Sequence, residues 1–534
     1  PGPSSVAPPP DGTPGLTVVV VSDQFRADYL DRLDGLWTGG IRRLLDEGVV
    51  FTEAHHAHAA TETGPGHATL STGAYPATHG IVANDWYDRQ LGDTINCVDD
   101  REQGDDLVSP SNLLVPTLAD QLRRRYPRSR VFAASGKNRG AVLMAGRLGL
   151  GAFWFDDEEN GYRTGEAYYP DGAPRWFEDL VAAGPSDEWF LDSWKPLPVD
   201  PAAAAAAGFS PFDRGPFDLG SFSSQVPGRV VGGFGHRRDE GFFSGLYRTP
   251  GLDEWLSVLG REIVEREELG DDEWPDLLSL SFSAVDMVGH GYGHTSLEVL
   301  DALLRFDRTL GELFDLLDER LGPDGWAAAL SSDHGVVPLA EIEPGEARRV
   351  GVAEVVCLRR VGLQLAESYG RDVWLGEGWE GLYLDHEVIR RAGAEVAAVQ
   401  EELAAAVEEC PSVVAASALS ELLALPQPAA PPRPGEAGWY LELERRNAHP
   451  ERSPDVTIRW VEGFNPSLSG RASHGSPYAY DTHVPLVFRI PGVAPARVGE
   501  PVETADLAPT LAALLGVEMG DEVDGTDLGE WLRH

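Results

Sequence analysis

Three aspartates follow directly after apolar segments of the chain: Asp23, Asp286 and Asp333. In open α/β sheets, ligands bind at the edge where the carboxyl ends of the strands meet. A single aspartate in such a position is most often a turn or helix-cap residue. Three of them, two of which are followed closely by a histidine, predict instead a group of carboxylates that binds cations at one edge of a sheet.

Histidines stand close to these aspartates in the sequence or in a separate glycine- and serine-rich segment: His290 four residues after Asp286, His334 directly after Asp333, and His474 in SHGS. Residues four apart share one face of a helix, so Asp286 and His290 can bind the same ion. Imidazole nitrogen and carboxylate oxygen are the ligands that zinc accepts when no thiolate is present. His483 is the alternative to His474 as the third imidazole.

Thr63 stands in the segment TETGPGH, two residues before Pro65. Proline favours the first turn of a helix, which predicts that Thr63 lies just before a helix begins. Its hydroxyl there either caps the helix or lies among free backbone N–H groups that bind phosphate. An oxygen activated by a metal ion could attack phosphorus.

Lys137 and Arg139 are separated by one residue, and Lys137 is one of only two lysines in the chain. If the segment is extended, the two side chains point the same way and both reach one phosphoryl group. The ordinary alternative is a solvated surface lysine without a function. We predict that both cations bind phosphate.

Strands and helices that would position these residues alternate along the chain. The apolar runs predict strands at Leu16–Asp23, Arg130–Ser135, Asp276–Ser283, Trp326–Ser332 and Val484–Ile490. Helical patterns follow at Gly40–Gly48, Leu297–Leu321 and Thr504–Leu515. This alternation predicts an α/β fold with a mostly parallel central sheet flanked by helices.

Two stretches interrupt the alternation, and we interpret both as insertions: residues 151–250 and 340–460. The second contains a strand-like segment, Gly381–Asp385, and a helix-like one, Glu387–Glu409, and is predicted to form a small cap subdomain. Residues 1–15, rich in proline and glycine, are expected to be a disordered linker left after processing, and residues 16–534 the catalytic domain.

Seven segments in this order resemble the alkaline phosphatase superfamily, and within it the exported phosphomonoesterases that use a threonine nucleophile, relatives of type I phosphodiesterases and nucleotide pyrophosphatases. The segments are VVSDQFR at Asp23, TETGPGHATLSTG at Thr63, ANDWYD at Asn84, SGKNRGAV at Lys137, DMVGH at Asp286, SDHG at Asp333 and SHGSPYAYDTHVP at His474. Seven such segments together are specific, whereas one alone would be a weak signal.

The resemblance implies two zinc ions about 4 Å apart. One would be held by Asp286, His290 and His474, and the other by Asp23, Asp333, His334 and the Thr63 oxygen. Asn84, Lys137 and Arg139 would bind the phosphoryl group. The implied reaction transfers this group to Thr63 and then hydrolyses the phosphothreonine, which makes the chain a zinc-dependent alkaline phosphatase acting on phosphate monoesters and releasing inorganic phosphate.

Alternative functions remain at this point. A phosphodiesterase or nucleotide pyrophosphatase would use the same metals and Thr63, but the pair Lys137 and Arg139 suits a dianionic monoester better than a monoanionic diester. A sulfatase would need a Cys or Ser nucleophile where Thr63 stands. A catalytically silent metal-binding protein would keep the fold and lack turnover.

The composition of the chain excludes some classes of binding partner and indicates where the protein is located. The formal net charge of −43 repels a nucleic-acid backbone, so nucleic-acid binding is excluded. No segment is long and apolar enough to span a membrane. The linker-like start predicts a periplasmic or secreted protein, and the resemblance suggests a monomer. The three cysteines, Cys97, Cys357 and Cys410, are expected to be buried free thiols.

Overall fold

The apolar run that begins at Leu16 forms a strand, Leu16–Ser22, in which every residue is buried. Successive side chains of a strand point to opposite faces of its sheet. Accordingly, Leu16, Val18 and Val20 pack into one hydrophobic cluster, whereas Val19 and Val21 pack into a second. The strand is therefore covered by helices on both faces, which explains its lack of polar alternation.

A computed structural model describes residues 7–100, 107–159, 161–185, 189, 194–210, 240–338, 348–377, 381–465 and 472–532. Its central sheet has nine strands in the order Ala496–Val498, Val49–Phe51, Leu486–Arg489, Trp326–Ser331, Leu16–Ser22, Asp276–Phe282, Val131–Ser135, Gly151–Asp156 and Gly161–Arg163. The five strands from Trp326–Ser331 to Gly151–Asp156 are mutually parallel, while Leu486–Arg489 and Gly161–Arg163 run antiparallel to their neighbours. The predicted α/β fold with a mostly parallel sheet is confirmed.

Helices cover both faces of the sheet. One face packs against Gly40–Glu47, Gly251–Arg266 and Leu297–Leu321, and the other against Thr63–Thr72, Leu118–Arg125, Asn138–Ala145 and Leu507–Leu515. The remaining helices of this part are Asp28–Arg32, Pro76–His79, Arg175–Ala183, Pro201–Ala206, Glu240–Leu246, Ala284–Tyr292, Ala479–Thr482, Gly529–Leu532 and the 3₁₀ turn Thr504–Asp506. Short strand pairs join Ala54–His55 to Val502–Glu503, Asp85–Asp88 to Asp93–Asn96, and Arg348–Arg349 to Phe464–Asn465.

Residues between 350 and 460 build a second sheet with its own hydrophobic cluster. Its four strands lie in the order Trp374–Glu377, Gly381–Leu384, Val456–Trp460 and Val413–Ala418. Its helices are Val352–Tyr369, the 3₁₀ turn Arg371–Val373, His386–Arg391, Val396–Glu408 and Leu419–Ala424. The helix Trp439–Asn447 follows in the sequence but packs through Trp439 and Leu443 against Tyr75 and other residues of the first part. The single helix predicted over Glu387–Glu409 is wrong, because Gly393, with a φ of 81°, ends the first helix and separates it from the second.

Residues 151–250 do not all lie apart from the central sheet, since Gly151–Asp156 and Gly161–Arg163 form its last two strands. Parts of these stretches lie outside the described residues. They include residues 211–239 of the first stretch, residues 339–347 and 378–380 of the second, and residues 1–6 of the expected linker. At the end of the linker, the Gly15 N–H donates a hydrogen bond to the Gly325 carbonyl oxygen at 3.0 Å. Along the described ranges, no helix has both the length and the apolar character needed to cross a membrane.

Cys357 and Cys410 form a disulfide, and only Cys97 is a free, buried thiol among the described cysteines. The expectation of three free thiols is therefore wrong. The sequence offered no spacing signal for the pair, because the two cysteines are 53 residues apart and meet only when the helices of the second sheet pack together.

We expect the free energy of unfolding of the Cys357→Ala/Cys410→Ala variant to be lower than that of the native chain by roughly 3 to 4 kcal/mol. The reason is that the disulfide closes a long loop and so restricts the unfolded chain. Chemical denaturation of the native and variant chains measures this difference. Thiol titration of the denatured, unreduced native chain should find one thiol, and a Cys97→Ala control should find none. Three thiols in the native chain would contradict the pairing.

Candidate active site

Four neighbouring parallel strands deliver the predicted site residues to one edge of the sheet. In spatial order, the strands Trp326–Ser331, Leu16–Ser22, Asp276–Phe282 and Val131–Ser135 are followed by Asp333 with His334, by Asp23, by Asp286, and by Lys137. All three aspartates are at most 1% exposed. Residues distant in sequence meet here because adjacent parallel strands end at the same edge.

Asp286 lies in the first turn of the helix Ala284–Tyr292, and His290 lies one turn later. Asp253 fixes the start of this helix, since one of its carboxylate oxygens accepts hydrogen bonds from the Ser283 and Ala284 N–H groups at 2.9 and 3.0 Å. His290 Nε2 is 3.1 Å from Asp286 Oδ1. The predicted common helix face of Asp286 and His290 is therefore present.

Two groups of side chains have the composition and spacing of metal sites. Ligand atoms of Asp286, His334 and His474 all lie within 4.8 Å of one another, as do those of Asp23, Asp333 and His334. His334 thus lies between the two groups, and His290 contacts the first through Asp286. His483 lies elsewhere, in a third group with Glu53 and His55, so the structure brings His474 and not its alternative to Asp286.

Each of the three site histidines is oriented by a backbone carbonyl. The Nδ1–H groups of His290, His334 and His474 donate to the carbonyl oxygens of Ala472, Gly335 and Thr61 at 2.6, 2.9 and 3.0 Å. A carbonyl oxygen only accepts hydrogen bonds, so Nδ1 carries a proton in each ring, and Nε2 of a neutral ring carries a lone pair. Burial disfavours the charged form of His290, but Asp286 outweighs it and raises the His290 pKa. Burial lowers the pKa of His334 and His474, which keeps both imidazoles neutral, the form that binds metal ions.

These lone pairs face carboxylate oxygens, an arrangement that needs a cation. His334 Nε2 lies 3.5 Å from Asp23 Oδ1, and neither atom has a hydrogen-bond partner within the described part of the chain. Burial and the negative charges of Asp286 and Asp333 raise the pKa of Asp23 well above its usual value, although Lys137 opposes the rise. Metal ions among these residues would relieve both the orphaned acceptors and the repulsion, so the residues fit such ions.

Thr63 is the first residue of the helix Thr63–Thr72 rather than the residue before it, and Glu62 is the N-cap. The threonine is buried and its hydroxyl lies at the helix N-terminus, as the phosphate-binding prediction requires. A Cβ at Gly66 would collide with the Asp333 carbonyl, which explains why glycine stands where this helix approaches the sheet edge. His67 Nδ1 lies 2.8 Å from the Thr63 carbonyl oxygen.

Lys137 connects Thr63 to the carboxylates. Its ammonium lies 2.6 Å from Asp23 Oδ2, 2.7 Å from Asp286 Oδ2 and 3.3 Å from Thr63 Oγ1. Burial disfavours the charged lysine, but Asp23 and Asp286 outweigh it and raise the Lys137 pKa above its usual value. Lys137 is therefore a buried cation and not a solvated surface lysine.

Arg139 Nη2 lies 3.5 Å from Thr63 Oγ1, so both cations reach the same hydroxyl. The assumption of an extended segment is wrong, because Lys137 is the N-cap of the helix Asn138–Ala145 and Arg139 lies in its first turn. Asn84 Oδ1 accepts a hydrogen bond from the N–H of Gly64, the residue after Thr63, at 2.7 Å. This bond orients the Asn84 amide so that its NH₂ group points away from the Gly64 N–H.

Gln24 is a site residue that the sequence did not reveal. Its backbone N–H donates to Asp333 Oδ1 at 3.2 Å, and its side-chain Nε2 donates to Asp286 Oδ1 at 2.5 Å. Gln24 thereby links carboxylates of the two ligand groups. It adopts a φ of 66°, a left-handed conformation that is costly for a residue with a side chain. Its position directly after Asp23 was the only available signal.

The sheet edge, the buried threonine and the carboxylate–imidazole groups define a hydrolase with an alkaline phosphatase-like α/β fold. A model of the type I phosphodiesterase / nucleotide pyrophosphatase family matches residues 17–464. The chain belongs to this family, within the alkaline phosphatase superfamily, as the sequence segments predicted.

Several relatives that match over the full length are named alkaline phosphatases. PhoV of Synechococcus elongatus is 28% identical over 531 residues, covering 96% of this chain and 92% of PhoV. PhoK of a Sphingomonas species is 30% identical over 543 residues, covering 96% of this chain and 90% of PhoK. The crystal structure of alkaline phosphatase PafA superposes with a TM-score of 0.84 at 24% identity, covering 97% of this chain and 99% of PafA.

Proposed function

We propose that this chain hydrolyses phosphate monoesters with two zinc ions, through a covalent phosphothreonine formed on Thr63. Its class, alkaline phosphatase, rests on the full-length relatives. The observation that carries the mechanism is the Lys137 ammonium, which lies within 3.3 Å of Thr63 Oγ1 and of one carboxylate from each ligand group. Thr63 is thus the hydroxyl that the charged groups of the site surround.

Asp286, His290 and His474 would hold one zinc ion, and Asp23, Asp333, His334 and the Thr63 oxygen the other. When bound, zinc supplies Lewis-acid stabilisation of the negative charge on the attacking and leaving oxygens. Gln24 holds Asp286 and Asp333 in place by the two hydrogen bonds that it donates. Ligand residues oriented in this way need little rearrangement when the ions bind.

The chain's own cations and amides act on the phosphoryl group. Lys137 and Arg139 stabilise the deprotonated Thr63 oxygen, and they are then placed to bind phosphoryl oxygens once the carboxylates serve as metal ligands. The Asn84 NH₂ group is the third donor. Because charge in phosphoryl transfer is spread over the equatorial oxygens, fixed donors of this kind supply much of the catalysis.

Paired initial rates on p-nitrophenyl phosphate and methyl p-nitrophenyl phosphate, with zinc supplied, test this proposal. We expect the native chain to prefer the monoester and Lys137→Ala to lose about 100-fold of that preference, because one buried donor to the dianion is removed. Lys195 is the other lysine of the chain and is exposed, so Lys195→Ala is a matched control that should keep the preference. Diester preference in the native chain would instead assign it a phosphodiesterase activity.

The disulfide supports export, because disulfides persist mainly in oxidising compartments. We propose that the protein is periplasmic or secreted, acts as a monomer and has small-molecule phosphate monoesters as substrates. The division into a linker over residues 1–15, a catalytic domain over 16–534 and insertions at 151–250 and 340–460 remains part of this proposal.

A further inference from the structure

A cavity of about 370 Å³ adjoins the candidate active site. Asn84 and His474 both line it, which makes the cavity continuous with the phosphoryl-binding donors on one side and with the Asp286 ligand group on the other. Its volume is in the range of pockets that enclose a small organic molecule. The cavity is therefore placed to receive a part of the substrate.

Aromatic side chains from several parts of the chain line this cavity: Trp86, Tyr87, Tyr383, Trp460, Phe464, Tyr478 and Tyr480. Tyr87 and Tyr383 are neighbours, with ring centroids 6.1 Å apart. Trp86 and Tyr87 belong to the strand Asp85–Asp88, directly after Asn84, while Tyr383 and Trp460 belong to the second sheet. Trp460 and Phe464 are stacked, with ring centroids 4.5 Å apart. Flat aromatic walls favour a planar ring over a flexible aliphatic chain.

The charged groups around the cavity are mostly acidic. Glu62, Asp85, Glu444 and Asp481 line it, and Arg459, the one arginine or lysine in its described lining, is 3.4 Å from Glu444 Oε1. This ion pair leaves no surplus of positive charge to attract an anion. A group that carries its own negative charge is disfavoured here.

The direction of the proposed reaction assigns the cavity to one part of the substrate. Thr63 attacks from its helix N-terminus, so the leaving oxygen departs on the opposite side of phosphorus, in line with the attack. Thr63 would be a ligand of one zinc ion, so the other ion, which Asp286, His290 and His474 would hold, is the one placed to stabilise this oxygen; His474 lines the cavity. A leaving group that departs there enters the space that the aromatic side chains line.

We propose that this cavity is a leaving-group site that selects uncharged aromatic alcohols, so that the preferred substrates are aryl or arylmethyl phosphates. The inference rests on the proposed monoesterase function and adds the substrate class. It also gives the second sheet a role, because its residues Tyr383 and Trp460 line the site.

Three monoesters whose leaving alcohols have similar basicity test the inference without changing the chemistry: benzyl, ethyl and 4-carboxybenzyl phosphate. We expect kcat/KM for the benzyl ester to exceed that for the ethyl ester by about tenfold, from ring burial and aromatic contact. The added carboxylate should remove most of this advantage. In Tyr87→Ala the benzyl-to-ethyl ratio of kcat/KM should fall at least threefold. Tyr369 lies in a helix beside the second sheet and does not line the cavity, so the control variant Tyr369→Ala should keep the native ratio.

Binding without turnover gives an independent measurement. Calorimetric titration with benzylphosphonate and ethylphosphonate should show the same preference in the native chain and its reduction in Tyr87→Ala. Equal ratios in native and Tyr87→Ala chains, or an equal preference for the carboxylated ester, would overturn the leaving-group site while leaving the monoesterase intact. Absence of hydrolysis of all three esters would instead refute the proposed function.

Discussion

Thr63→Ala is expected to lower kcat/KM on p-nitrophenyl phosphate by about 10⁴-fold or more, because the group that accepts the phosphoryl is removed. Lys137 and Arg139 would remain without the oxygen that they surround at 3.3 and 3.5 Å. Donors and ligands left in place still bind phosphate, so binding of inorganic phosphate should change much less than turnover.

Thr63→Ser is the matched control, since it keeps a hydroxyl at the same helix N-terminus. This variant should retain most of the activity. Rapid acid quenching followed by intact-mass measurement should detect one added phosphoryl group in the native and serine chains and none in the alanine chain. More than a tenth of native activity in Thr63→Ala would contradict the covalent role.

Removal of metal by a chelator is expected to abolish hydrolysis and to lower the thermal midpoint. Binding to the folded chain alone stabilises it by about 4 kcal/mol per ion when the free ion is about 1,000-fold above its dissociation constant. Without ions, the carboxylates of Asp23, Asp286 and Asp333 are buried together, and Lys137 is shared as a cationic contact by the first two. Addition of zinc should restore both activity and thermal midpoint.

Metal analysis decides the number of sites. We expect two zinc ions per native chain and fewer in Asp333→Asn. Glu53→Gln changes the third group of candidate ligands, Glu53, His55 and His483, and should leave the content at two. A native content of three that falls to two in Glu53→Gln would show that the site residues are incompletely assigned.

The local sequence pattern was sufficient to predict the strands and helices around the site. The β-branched run at Leu16 could only be a strand buried on both faces, and the 25-residue helix Leu297–Leu321 has the bounds that its apolar periodicity predicts. Both signals depend on neighbouring residues alone, through a repeat of two in the strand and 3.6 in the helix. Where a local signal was overlooked, as at Gly393, the predicted helix was too long.

The seven ordered segments were sufficient to predict the class of enzyme, because together they resemble the superfamily, whereas any one alone would be a weak signal. Neither Gln24 nor the pairing of Cys357 with Cys410 could be found in this way. Gln24 acts through contacts with Asp286 and Asp333, more than 260 residues away, and one disulfide pairing among three cysteines leaves no trace in their spacing.

Residue type and local repeat thus established the elements, the class of chemistry and the candidate ligands of this protein. Only the tertiary structure decided which strands are adjacent, that His474 rather than His483 joins Asp286, and that Lys137 contacts both Asp23 and Asp286. The aromatic cavity beside Asn84 also required it. The physical reason is that secondary structure follows from contacts within a few residues, whereas a site and its specificity arise from side chains that only long-range packing brings together.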